Sequence, residues 1–463
     1  MYRLNPFTNV ERRSEHIRLT TPECSLTLPL SASVLLENLE KDWIKGSDQV
    51  EQLLPYGAII SDNDPYQETL FKLSSYFQQK SIPIEVIRKG SLHPEYELPH
   101  HCYVSNNEGI GQSPQKSLAL LKSLIELYER HSCDVEVNQD ILLGEEKGKK
   151  VIVDRFAGWQ YRLPDFPYSR TQKPSGEWVK ATESASGNTI LIPLENVCFP
   201  DGIDGNRCTE ANSSGVAAHT SRVSAANSSL YELIERDSFM VHWFNQVPRD
   251  RVKPPDHLMD RLMALEDLGV EINFYNYTLD LLPCVLAVLK SNSGLYPRMV
   301  LGMACNPDVE HAIGKALEEV EINMTFSGAE VPDLASPDNI KTILDHQFWY
   351  DKPENHHEFD FLWTGHLVDT EEIKQSSGQI DDIYSLFASR GLNWYIVDLN
   401  LTGLEQTGIY VVRSIIPGLT SIGFGYRLEP LGGDRIKFLP KQLGIPHSGP
   451  RLSYESYRIQ PFA

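Results

Sequence analysis

Positive charge is scarce in this chain: its 463 residues include 42 Lys and Arg against 63 Asp and Glu, a formal net charge of −21. Affinity for a phosphate backbone comes from clustered cations that release counterions, so nucleic-acid binding is disfavoured. Long apolar runs are also missing. The longest, Leu281 to Leu289, stops far short of the about 18 residues that a membrane span requires, and the opening MYRLNPFTNVERRSEH has no apolar signal region. The expectation is a cytoplasmic protein with no membrane association. The seven cysteines (Cys24, Cys102, Cys133, Cys198, Cys208, Cys284, Cys305) contain no CxxC pair, which argues against a disulfide framework and against a zinc ribbon. Familiar nucleotide and nucleophile signatures are absent too: there is no GxxxxGK[ST] loop, no GxSxG elbow and no full GxGxxG. Gly109-Ile-Gly111 and Gly423-Phe-Gly425 lack the third glycine and read as turns.

What is present is the composition of a folded chain, 41% hydrophobic and 23% charged. Residues 1–85 read as a small region, with helical patterns in Leu35, Leu36, Leu39 and Trp43 and again in Val50, Leu53 and Leu54. It resembles a winged-helix-like leader- or partner-binding module. From 86 to 463 helices and strands alternate: helices over Pro114–His131, Ala225–Trp243, Asp256–Asp267 and Glu310–Met324, and strands near Val151–Arg155, Thr189–Pro193, Val270–Tyr277, Cys284–Leu289, Arg298–Gly302, Trp394–Leu399 and Gly408–Ile416. The mixture predicts an α+β fold, mixed sheets packed with helices, rather than a Rossmann array. Residues 325–385 are weakly periodic, and the His356-His357-Glu358 run within them, lacking HExxH spacing, reads as a solvated loop.

The chemistry sits in a short internal repeat. Ser123-Leu-Ile-Glu-Leu-Tyr-Glu-Arg-His-Ser132 and Ser229-Leu-Tyr-Glu-Leu-Ile-Glu-Arg-Asp-Ser238 agree at seven of ten positions across 106 residues. Each copy puts two glutamates at i and i+3 on a helix, followed by an arginine. In the second copy Ala226, Leu230, Leu233 and Ile234 form the apolar stripe, which leaves Glu232 and Glu235 on the face away from it. Four such carboxylates brought together repel unless cations sit between them, and hard divalent ions with oxygen ligands are the usual answer. Mg²⁺ so held can carry a polyphosphate, which is how an acidic protein binds ATP.

These residues resemble the YcaO family of ATP-dependent peptide-backbone modifying enzymes, over roughly residues 86–463. Four stretches in order carry the likeness. The first is the helix with Glu126 and Glu129. Ser213-Ser-Gly-Val-Ala-Ala218 leads into Tyr231–Asp237 as the second, and Gly302–Asp308 leads into Lys315–Glu319 as the third. Arg413-Ser-Ile-Ile-Pro-Gly-Leu419 is the fourth. The resemblance implies ATP and Mg²⁺ as cofactors, with Glu126, Glu129, Glu232, Glu235 and Glu319 as metal ligands and Lys122, Ser123, Arg130, Ser214 and Arg236 as nucleotide contacts. It further implies azoline formation on a ribosomally made precursor peptide: a Cys, Ser or Thr side chain attacks the preceding carbonyl, and phosphorylation turns the amide oxygen into a leaving group. A separate E1-like or leader-binding partner protein and a homodimer are also implied. Lys122 stands where the first motif has Ser, Ile110 where a lysine-bearing turn is usual, Ser214 at a usual Asn with Asn212 two residues before, His219 at a usual Gly, and Ile322 at a usual Gln. The usual proline-rich end is reduced to Gln460-Pro-Phe-Ala463. The Ile110, Ser214, Ile322 and tail substitutions favour the alternative, a diverged paralogue that scaffolds an active partner, whereas the five retained glutamates favour a Mg²⁺ or nucleotide role.

Overall fold

The computed structural model describes residues 2–4, 9–12, 16–20, 25–29, 32, 36, 59–61, 66–82, 84, 86–89, 100–104, 108–134, 142–143, 149–151, 156–168, 177–199, 209, 211–291, 297–324, 334–377, 383–399 and 408–462. The chain divides into two compact units, Met1–His131 with Leu401–Ile409, and Ser132–Asn400 with Tyr410–Ala463. Helices and mostly antiparallel sheets make the class α+β. Apart from Leu36, the helical patterns expected across 35–54 lie outside the described residues, as does the strand expected at 151–155 beyond Val151.

In the smaller unit an antiparallel sheet of Val86–Lys89, His100–Val104 and Gly109–Ser113 is covered by the helix Lys116–His131. That helix buries Leu120, Leu124, Leu127 and Tyr128 at helical spacing. Gly109-Ile-Gly111, expected as a turn, is a strand. Its glycines serve close packing: a Cβ on Gly109 would stand 2.1 Å from the Ser123 carbonyl oxygen, and one on Gly111 1.9 Å from that of Ala119.

The larger unit holds two sheets. One orders Thr189–Pro193, Trp178–Glu183, Tyr395–Asp398, Tyr410–Ile415 and Val216–His219, with Leu142–Leu143 beside Trp178–Glu183. The other runs Met299–Cys305, Cys284–Ser291, Val270–Asn276, Arg251–Val252 and Leu367–Val368. The helix Arg222–Asn245, started by Ser221 accepting the Ser224 N–H and ended by Gln246 in the left-handed region, packs on strands of both sheets. This double contact corrects the single apolar stripe expected from sequence: Glu235 and the whole run Asp237–Asn245 are buried as well.

Within the weakly periodic stretch 325–385, residues 334–377 are more helical than that pattern implies. Thr342 and Asp345 form a capping box that starts the helix Ile343–Asp351, and a 3-10 run follows over Pro353–Thr364. His356 and His357 lie on that run, not in a loop, and each donates a ring N–H to a backbone carbonyl, of Tyr350 and Glu354 respectively. The tail is drawn inward. Tyr350 Oη and Trp243 Nε1 both donate to the Ile459 carbonyl, at 2.6 and 3.1 Å, and Phe462 is 2% exposed.

Candidate active site

Three helices present a glutamate in the same local way. The helix Val309–Met324 packs on Met299–Cys305 through Gly302, where a Cβ would lie 2.5 Å from the Ala316 oxygen. Glu319 reaches back from that helix to accept the Met303 N–H at 3.0 Å. Glu126 does the same for Ile110 at 2.7 Å, and Glu232 for Gly215 at 3.0 Å. In each case the amide belongs to the strand or turn that precedes the helix, 16 or 17 residues before the glutamate. One carboxylate oxygen is thereby fixed by the backbone and the other is left for a cation. For Glu126 that cation is Arg130 at 2.7 Å, and for Glu232 it is Arg236 at 3.4 Å. In the third helix the corresponding place, four residues on, holds Asn323, which donates to the Leu301 carbonyl instead.

Around Arg236 the larger unit gathers three carboxylates. Arg236 lies 3.3 Å from Glu235 Oε1 and 3.4 Å from Glu232 Oε1. The Glu235 contact is an ion pair without hydrogen-bond geometry, because Glu235 Oε1 and the Arg236 Nε and Nη1 atoms are buried and lack hydrogen-bond partners. Burial pushes the Glu235 carboxyl well above the usual carboxylate range; Arg236 opposes this, while Glu319, Glu232 and Cys284 add to it. Glu319 is raised chiefly by burial as well, against Arg236 and the Met303 amide. Burial also works against the Arg236 charge, but Glu235, Glu232 and Glu319 more than offset it. Arg236 is thus the main counter-charge for three clustered acids, with Lys315 adding to it at Glu319, and burying unbalanced charge is costly. Phe462 completes the wall, its ring 4.2 Å from the Arg236 guanidinium carbon.

A hard divalent cation fits this donor set: the ligands are carboxylate oxygens, one of them buried and without a partner. Among the described residues no group of three or more His, Cys, Asp or Glu side chains is already placed to hold a metal ion. Mg²⁺ does not demand one, since it is held by one or two carboxylates together with substrate phosphates and waters.

The remaining sequence-predicted residues have these places. Glu126 and Glu129 lie half-buried on the helix Lys116–His131 of the smaller unit. Lys122 there donates to the Gln112 carbonyl at 2.8 Å. Ser123 is fully buried, with its hydroxyl on the Leu120 carbonyl at 2.8 Å and 3.4 Å from Cys102 Sγ. Ser214 stands in the turn before Glu232's amide partner and lines a cavity of about 140 Å³ with Asn212, Leu233 and Thr420. Asn212 shapes that turn, accepting the Ser214 N–H at 2.9 Å and donating to the Ile422 carbonyl.

Sequence reasoning assigned no role to Arg413 beyond its motif. It is buried and donates to the carbonyls of Val197, Asn212 and Ser214, so it clamps the turn whose Gly215 N–H holds Glu232. Asp237, also unassigned, accepts from Arg435 and from the Thr420 N–H. It ties the acidic helix to the loop after Pro417-Gly418. A buried arginine and aspartate in ordered motifs were the available signals; their partners were not.

The family model described as YcaO cyclodehydratase, ATP- and Mg²⁺-binding, matches residues 109–420. The chain belongs to the YcaO family. Among solved structures, a heterocyclase in complex with substrate and cofactor aligns with TM-score 0.64 at 18% identity, covering 84% of this chain; the chain spans 57% of that protein's length. The YcaO protein from Methanopyrus kandleri bound with AMPPCP and Mg²⁺ aligns at 0.55 and 17%, over 76% of this chain and 91% of that one. The E. coli microcin synthetase McbBCD complex aligns at 0.51 and 14%, over 72% and 88%. At these identities the likeness is one of fold. ATP and Mg²⁺ are the cofactors of the YcaO family. No helix among the described residues is long and apolar enough to cross a membrane.

Proposed function

We propose that this protein modifies the backbone of a ribosomally made peptide in an ATP- and Mg²⁺-dependent way, by cyclodehydrating Cys, Ser or Thr to azolines. The observation that carries this reading is the partly buried gathering of Glu232, Glu235 and Glu319 around Arg236. In this reading the three carboxylates hold Mg²⁺, with Glu126 and Glu129 retained as ligands on the family resemblance. Bound nucleotide supplies the phosphoryl group that makes an amide oxygen a leaving group.

The chain's own residues then divide the work. Glu232 and Glu319 are oriented by backbone amides before any ligand arrives, which lowers the cost of organising the site. Glu235, the most buried of the three acids, would have to be ionised to hold a metal, which its burial opposes. Arg236, with two nitrogens lacking hydrogen bonds, would be free to donate to phosphate oxygens if a metal took over its carboxylates. Lys122, Ser123, Arg130 and Ser214 remain nucleotide-contact proposals from the resemblance. The precursor peptide is brought by a separate E1-like or leader-binding protein; the structural relatives include a heterocyclase with its substrate and a multi-subunit synthetase.

The rival reading is a scaffold without turnover, and Ile322, three residues after Glu319 and unable to coordinate, is the residue that favours it. Incubation with partner, MgATP and candidate peptides separates the two. The proposed activity gives peptides lighter by one water per modified residue. Unchanged mass of a peptide shown to be bound leaves only the scaffold.

A further inference from the structure

Among the buried cysteines of the larger unit, two face each other. Cys284 opens the strand Cys284–Ser291 and Cys305 closes the strand Met299–Cys305, and the antiparallel register sets one directly opposite the other. Asn306 donates its N–H to the Pro283 carbonyl at 3.0 Å, the bond that flanks a pair not itself joined through the backbone. In such a pair the Cα atoms stand about 4.5 Å apart and the side chains are at their closest. That spacing lies inside the range of about 4.4–6.8 Å that a disulfide spans. The thiols already interact: a hydrogen bond with Cys284 adds to burial in raising the Cys305 thiol well above its usual range.

The pair sits beside the acidic cluster. Cys284 and Cys305 belong to the core into which the helix Arg222–Asn245 packs, the Glu235 carboxyl feels Cys284, and Cys305 in turn feels Glu235. Burial makes a thiolate scarce, so attack on an oxidant is slow. Contact decides the product. A sulfenic acid formed on one thiol meets the other before it meets a second oxidant molecule, because a touching group has an effective concentration far above that of a dissolved one. Cys305, 6% exposed against 0% for Cys284, is the point of entry: it ends its strand close to the exposed Pro307 and Asp308.

We propose that Cys284 and Cys305 form a redox modification site, which hydrogen peroxide closes to a cross-strand disulfide in the wall of the acidic cluster. The Cys305 sulfur attacks the O–O bond, which breaks to leave an S–OH group on Cys305 and release one water. The Cys284 sulfur then attacks the Cys305 sulfur; the S–S bond forms, the S–O bond breaks and a second water leaves. Two electrons pass from the sulfurs to the peroxide, and the two thiol protons depart in the waters. The site rests on strand register and thiol contact, and does not depend on the nucleotide reading above.

The test uses the full-length chain, reduced, freed of reductant and held overnight with excess hydrogen peroxide. Remaining thiols are then blocked with N-ethylmaleimide in denaturant, and the digest is read by mass spectrometry. The expected product is a peptide pair joined through Cys284 and Cys305, lighter by two hydrogens than the separate peptides and restored by dithiothreitol. A link that closes the loop 284–305 constrains the unfolded chain, so the oxidised protein should melt several degrees higher, and Cys305→Ala or Cys284→Ala should abolish both the link and the rise. Because the digest of the parent protein is decisive alone, poor folding of either variant does not blunt the test. Cys284 and Cys305 both recovered as maleimide adducts, either one linked to a different cysteine, or a sulfinic acid on one of them with a lowered melting temperature would each overturn the proposal.

Discussion

The two ExxER helices share seven of ten residues and differ in what surrounds them. In the smaller unit Glu126 and Arg130 form an i,i+4 pair with side chains 30% and 36% exposed. In the larger unit Arg236 is 14% exposed and Glu235 8%. The first pair keeps partial access to water while Glu235 is nearly shut off from it, so one sequence signature gives a half-buried ion pair in one place and an acid raised well above the carboxylate range in the other. The motif chooses the residues; the packing of the helix decides their electrostatics.

Arg236→Ala against Arg130→Ala is the substitution pair that separates the two most widely. Removing Arg236 strands the buried Glu235 and its two partly buried neighbours, and in metal-free buffer denaturant unfolding should show a loss on the order of 3–5 kcal/mol. Arg130→Ala should cost about 0–1 kcal/mol. Equal losses would mean that burial does not distinguish the helices. A smaller effect is expected at Gly302, where a methyl group meets the backbone of the helix that carries Glu319; Gly302→Ala should cost about 1–3 kcal/mol and weaken Mg²⁺-dependent nucleotide binding, whereas Gly314→Ala, with open space around it, should do neither.

Titration sharpens the contrast further. Glu235 and Glu319 are raised by burial, and metal must displace their protons, so Mg²⁺-nucleotide affinity should rise with pH above the normal carboxylate range. Glu319→Gln should flatten that dependence; a profile identical to the parent would remove Glu319 from the site. Away from the cluster, burial lifts Glu429, which receives the Tyr457 hydroxyl, from 4.5 to about 8. Between those values the unfolded chain has released the proton that the folded chain keeps. Stability from this group therefore falls as pH rises through the window, and the melting temperature should fall less steeply in Glu429→Gln.

Much of the fold was legible because its signals are local. The helix expected at Ala225–Trp243 spans Arg222–Asn245, and the one expected at Glu310–Met324 spans Val309–Met324. The strands at Val270–Asn276 and Cys284–Ser291 also follow their apolar patterning. What escaped depends on partners distant in sequence. Gly109 and Gly111 look like turn residues until a helix lies on them. Glu235 looks solvent-facing until a second sheet covers its helix, and the reach of Phe462 to Arg236 spans 226 positions that no periodicity records. The acidic ligand candidates could be read from the repeat and the family likeness. Arg413 as the clamp of the Glu232 turn, and Asp237 as the tie to the following loop, could not.

Calorimetric titration of the full-length protein with a non-hydrolysable ATP analogue, with and without Mg²⁺, bears most directly on the buried acids around Arg236. The account predicts binding that requires Mg²⁺ and is lost in Glu235→Gln while the circular dichroism spectrum stays that of the parent. Undiminished Mg²⁺-dependent binding in Glu235→Gln would contradict it.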